Sequence, residues 1–208
     1  MKLRMLFSVL WVACSIGASA QVVLLKKLDR FTNNLSSEFG NLNSTKKAEL
    51  NSFADAIVNE KMNSGNASVL FSSNDNSSLS HIYQVWLQVA LDKFGVKNIT
   101  TSSAGLVPNV ITKETISVLK ASGFNITSNP ISHANGSYVV RYSWSENELL
   151  MFSKKSDNYQ IPTKSIVLKD VDDTILNQSN ASEISKQIAI DMMYVAEKIH
   201  NNHLLSLQ

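Results

Sequence analysis

Val69-Leu70-Phe71-Ser72-Ser73-Asn74-Asp75-Asn76-Ser77-Ser78-Leu79-Ser80-His81-Ile82-Tyr83-Gln84-Val85-Trp86 is the stretch on which the fold turns. It opens on Val69-Leu70-Phe71, a short apolar run of the kind a buried strand gives. Ser72 to Leu79 is a polar loop. Beyond it Ile82, Val85, Trp86, Val89, Ala90 and Phe94 recur at helical spacing and mark one face of a helix. A polar loop between a buried strand and a helix is a natural anion site, because the helix start presents unpaired N–H groups and a partial positive charge. Ser72 to Ser80 contains no Gly, Lys or Arg, so it is not a nucleotide-binding P-loop.

Downstream, Ile99 to Ser103 is a second strand, closing on Ala104-Gly105. A helix follows from about Thr112 to Ser122, with Gly123 as its stop. This β-α-β-α order predicts an α/β protein with a parallel sheet and right-handed crossovers. Tyr138 to Trp144 alternates and pairs with Glu148 to Ser153 across Ser145-Glu146-Asn147, an antiparallel hairpin. Ser165 to Lys169 is a further strand, third or fourth in the central sheet. Ala181 to His200 is a final helix whose start, Asn180 with Glu183, reads as a capping box. Upstream, Val22 to Met62 carries two helical apolar patterns separated by Asn41 to Lys47. The expected organisation is a leader over 1–20, a helical extension over 21–62 and an α/β domain over 63–208.

Met1 to Ala20 reads as a secretory signal: Lys2 and Arg4, an apolar run from Met5 to Ala13, then Ala18-Ser19-Ala20 before Gln21. Trp11-Val12-Ala13-Cys14 is a poor lipoprotein box, and the apolar run is too short to span a bilayer. The expected location is periplasmic or secreted, with no membrane span after cleavage. Lys2 and Arg4 account for the whole net charge of +2, which leaves a balanced chain unsuited to nucleic acid. Cys14 is the only cysteine, so past the leader no disulfide, zinc-thiolate site or cysteine nucleophile is available. His133, His200 and His203 lack metal-ligand spacing, and no metal or cofactor is expected. His81 reads as a helix-cap or surface histidine. Trp86, Trp144 and Met192-Met193 sit at core-like spacing.

Val69 to Ser80 resembles the first strand and phosphate loop of the low-molecular-weight protein tyrosine phosphatases and related arsenate reductases, whose pattern is V-L-F-x-C-x-x-N-S-x-R-S. Thr101-Ser102-Ser103-Ala104-Gly105 is similar to the family's Y-S-A-G, and Ile116-x-x-Leu119-x-x-x-Gly123-Phe124-x-Ile126 continues the likeness. Ser80-His81-Ile82-Tyr83-Gln84-Val85-Trp86, Tyr142-Ser143 and Phe152-Ser153-Lys154-Lys155 resemble a larger subgroup of the Bacteroidetes type. The resemblance implies a three-layer sandwich around a mostly parallel four-stranded sheet, with an added helical extension and hairpin.

The departures from that family fall on its chemistry. The nucleophilic cysteine position is Ser73, and the arginine that clamps the oxyanion is replaced by Leu79. Asn76 stands where the family pins its loop, and Ser80 where it hydrogen-bonds the thiolate. Asp75 adds a negative charge. The positional match to the general acid is Asp170, with Asp172 and Asp173 beside it, and the usual following proline is missing. The anion-binding loop is thus expected over Ser73, Asn74, Asp75, Asn76, Ser77, Ser78, Leu79 and Ser80. Two functions compete: a catalytically inactive, phosphatase-like module that binds a phosphate-like anion or a protein, or an enzyme with an unconventional centre around Ser73.

Overall fold

The computed structural model describes residues 22–129, 136–145, 148–153 and 166–205. The leader with Cys14, and likewise His133, Glu146-Asn147, Lys154-Lys155 and Ser165, lie outside the described residues, as does the side chain of His203. The chain is α/β, with five α-helices, a parallel three-stranded sheet and a separate antiparallel sheet among the described residues.

The expected extension consists of α1 (Lys26–Leu35), a 3-10 turn (Ser36–Asn41) and α2 (Ser44–Ser64). The Asn43 side chain accepts from the Lys46 N–H and so starts α2, while Gly65 closes it with φ 77°. β1 (Ala67–Ser73) follows, then α3 (Leu79–Lys93), β2 (Ile99–Gly105) and α4 (Lys113–Ser122). β6 (Ile166–Asp170) returns beside β1, giving the order β2-β1-β6 with every pair parallel. The central position of β1 explains its unbroken apolar run, since Val69, Leu70 and Phe71 are all buried. α5 (Ala181–Leu205) packs on α3 and α2, and its Met192 and Met193 are in the core as the spacing predicted.

Aromatic side chains join these elements. Phe71 on β1 lies between Phe53 of α2, at 6.3 Å, and Tyr83 of α3, at 5.4 Å. Trp86 is fully buried, stacked on Phe31 of α1 and edge-on to Phe124. Burial of one such side chain contributes about 2–3 kcal/mol. The extension is therefore part of the same core as the sheet. Lys46 of α2 pairs with the buried Asp191 of α5 at 3.0 Å.

Three strands form the parallel sheet among the described residues. Other expectations need correction. Asn125–Ser128 is an unanticipated strand, β3, which pairs with β4 (Tyr138–Arg141); β4 in turn pairs with β5 (Glu148–Met151). With four residues and only Ile126 buried, β3 has no readable periodicity. Trp144 is 73% exposed, because alternation breaks after Tyr142: Ser143 pairs with Leu24 and is itself buried. The Asn180 side chain forms no capping box; its oxygen accepts from the Asn177 N–H and its NH2 group donates to the Ile175 carbonyl.

Gly123 is required twice. Its φ is 114°, and a Cβ there would stand 2.6 Å from the Leu28 nitrogen. Gly123→Ala is expected to cost about 2–4 kcal/mol through backbone strain and separation of α1 from α4, measured by urea denaturation. A cost below about 1 kcal/mol would show that this contact yields freely.

Candidate functional site

β1 ends at Ser73 and α3 begins at Leu79, so the five residues between them must reverse direction above the sheet. Asn76 makes this possible with φ 48°, a left-handed conformation that Asn tolerates. Its N–H donates to Ser73 Oγ at 2.9 Å, and its Nδ2 donates to Ser80 Oγ at 3.0 Å. Gly105, at the end of β2, lies so close that a Cβ would be 2.8 Å from the Asn76 nitrogen. The adjoining 106–109 segment is held by the loop's carbonyls: Leu106 donates to Ser73, Val107 to Asn74 and Asn109 to Asp75.

The centre of the loop is filled by the side chain of Asp173. Its Oδ2 accepts from Ser73 Oγ at 2.7 Å, from the Ser77 N–H at 3.0 Å and from Ser80 Oγ at 3.1 Å. Its Oδ1 accepts from the Ser80 N–H at 2.9 Å. Ser78, at the N-cap of α3, makes no capping bond and instead donates to the Asp173 carbonyl at 2.9 Å. A carboxylate nearly a hundred residues away thus caps the helix start, where N–H groups lack intrahelical partners.

Behind the loop lies a second polar layer. His81 is fully buried; its Nε2 is 2.8 Å from the Asn76 carbonyl and therefore carries the hydrogen, since a carbonyl only accepts. The Ser103 hydroxyl lies 3.0 Å from His81 Nδ1 and 2.7 Å from Gln84 Oε1. Ser153, past the end of β5, donates to the Asn76 carbonyl at 3.1 Å. Tyr142 anchors the antiparallel sheet to α3 by donating to Asp92 at 2.5 Å, and burial followed by that carboxylate pushes its pKa up.

All eight expected loop residues fall in this one segment, but their roles divide. Ser73, Ser77 and Ser80 donate to Asp173, and Asn76 braces the turn. Leu79 turns away into the core and is 2% exposed. Asp170, the expected acid, is exposed at the end of β6 opposite Ser72, and Asp172 caps its own turn by accepting from Thr174. The physical reason is register: with Asp170 level with Ser72, the chain needs three more residues and a 3-10 turn over Asp173–Ile175 to reach the loop. The cap-or-surface reading of His81 is also corrected, because its ring lies beneath the Asn76 turn. No cluster of metal-ligating side chains exists among the described residues.

The two carboxyl groups of the site are pushed apart. Burial acts to raise Asp173, but the bonds from Ser73 and the Ser80 N–H prevail and hold it below the usual carboxylate range. Asp75 goes the other way, raised by burial and then by the neighbouring Asp173, although it accepts from the Ser77 N–H and hydroxyl. No protein-family model matches the chain, and no curated protein sequence matches it.

Because Asp75 binds a proton more tightly in the folded state, its contribution is complete below the ordinary Asp range near 4 and is lost as pH rises through its raised value. Asp75→Asn imitates the protonated group. Its thermal midpoint is expected to exceed that of the parent at neutral pH, with the difference closing below about pH 4. A lower midpoint at neutral pH would show that the bonds to Ser77 outweigh the repulsion.

Proposed function

We propose that the chain is an exported, phosphatase-like protein that acts by binding rather than by turnover: a low-molecular-weight protein tyrosine phosphatase-type scaffold, three-layered with a four-stranded central sheet, whose phosphate loop is closed. One observation carries this reading. The point where a phosphoryl group would rest is occupied by Asp173, which takes the Ser77 and Ser80 N–H groups together with the Ser73 and Ser80 hydroxyls. The loop lacks a thiolate and an arginine, so neither attack on phosphorus nor bidentate clamping of its oxygens is provided for. The apolar rim formed by Leu106, Val107 and Val110, each more than half exposed, supports a role in protein contact.

The alternative is an enzyme centred on Ser73, and the 2.7 Å bond from Ser73 to Asp173 favours it by supplying a base. Two features oppose it. Asp173 is held below the usual carboxylate range, which makes it a weak base, and it occupies the donors that would have to stabilise a transition state. Loss of one such donor alone costs about 3–4 kcal/mol in enzymes that rely on it.

Hydrolysis of p-nitrophenyl phosphate and of a phosphotyrosine peptide, and thiol-dependent arsenate reduction, are expected to stay at background. Turnover that Ser73→Ala abolishes would establish the enzyme instead.

A further inference from the structure

We propose that Asp173 is a resident ligand: the loop is an anion cradle held shut by the chain's own carboxylate, and withdrawal of the 172–175 turn opens it to a small oxyanion in solution. The inference rests on reading Ser73–Ser80 as a phosphatase-like cradle and adds to it a competitor built into the same chain. Four donors from three residues, Ser73, Ser77 and Ser80, converge on one carboxylate group, and two of them are backbone N–H groups whose direction is set by the loop and not by the ligand. When the turn withdraws, water takes up those donors, and an anion competes with that water through charge-assisted hydrogen bonds and the partial positive charge of the helix start.

Val171 and Leu176 pack against the core on either side of the turn that carries Asp173. Between Asp172 and Asn180, Asp173 is the one buried residue, with 6% of its surface exposed. Further ties from this connection to the loop include Val171 N–H to the Ser72 carbonyl, at 2.7 Å, Ser78 Oγ to the Asp173 carbonyl, and the side-chain contact between Asp75 and Asp173. The remaining polar contacts close on themselves: Asp172 with Thr174, and Asn177 with Ser179 and Asn180. The polar docking of the turn onto the loop is therefore concentrated at Asp173, between two apolar anchors.

The same donors suit any small oxyanion. A carboxylate would reproduce the resident contacts, and a tetrahedral phosphate would add oxygens. Selectivity follows from the charges that face the site. Asp75 lies on the loop itself, His81 lies behind it against Asn76, and Asp172 flanks Asp173 on the turn; the loop contributes no Lys or Arg. A monoanion is accordingly preferred to a dianion, and binding is weak, in the millimolar range.

The experiment compares the parent with Asp173→Ala, titrating each with formate and, separately, with inorganic phosphate, against chloride at equal ionic strength. The readouts are the thermal midpoint and the amide NMR signals of Ser77 and Ser80. Asp173→Ala is expected to unfold at a lower temperature than the parent, to regain part of that loss with formate, and to show saturable shifts at both amides. Its formate affinity should exceed the parent's by at least about tenfold. The phosphate arm shows whether tetrahedral anions share the site. A folded Asp173→Ala whose titrations are as flat as the parent's, or a parent that titrates as readily as the variant, overturns the proposal.

Should the alanine variant fail to fold, Asp173→Asn keeps the shape and removes the charge. Hydrogen exchange at Ser77 and Ser80 is then expected to quicken by about tenfold, and unchanged exchange refutes the resident ligand. Turnover dependent on Ser73 would sink the non-catalytic reading while leaving these titrations intact; flat titrations without turnover would do the reverse.

Discussion

The region between β1 and α3 depends on one buried carboxylate. A loop that turns into a helix start exposes N–H groups with no partner inside the helix, and here two of them, with two serine hydroxyls, face a common point. In a phosphate-binding loop a solution anion satisfies such groups. Here the satisfaction is covalently tethered, and it ties β6 and the turn after it to the mouth of β1. Fold and site are consequently one problem: the parallel pairing of β6 with β1 delivers the turn, and the turn delivers the charge.

Much of this was readable from residues. The strand, loop and helix of Val69 to Trp86 have clean periods, and Ala104-Gly105 reads as the close of a strand; that Gly105 also lies against Asn76 is visible only in the structure. The motif-like stretches around His81, Gln84 and Ser153 meet in the layer behind the loop, so their separation in sequence concealed one contiguous polar support. What escaped was non-local. β3 is too short for a period, and Trp144 obeys alternation only until a bridge to Leu24 resets the pattern. Asp173 was visible as one of three acids after a strand. Choosing it over Asp170 requires the β1–β6 register, which no local property of the chain encodes.

The helical extension shows how position in the fold changes the meaning of a sequence feature. Phe31 of α1 stacks on Trp86, and Phe53 of α2 packs against Phe71, so the extension closes the core from which the loop projects. Leu79 joins the same core. Leucine turns inward and adds apolar area, and the loop itself carries no cation. The burial of Leu79 thus serves packing, while the electrostatics of the site follow from a loop without Lys or Arg.

The identities of residues 73 and 173 are therefore coupled. Ser73 Oγ stands 2.7 Å from an Asp173 oxygen, a distance that suits a neutral hydroxyl donating to a carboxylate. A thiolate at position 73 would place two negative charges in contact within a buried site, where their repulsion is far less screened than in water. It could persist only protonated, and so without nucleophilic character, or with the turn displaced. Asp173 also draws on the N–H groups that would otherwise lower a thiol's pKa. The serine is thus the residue that lets the carboxylate stay, and the carboxylate supplies the acceptors that the loop's N–H groups and hydroxyls use.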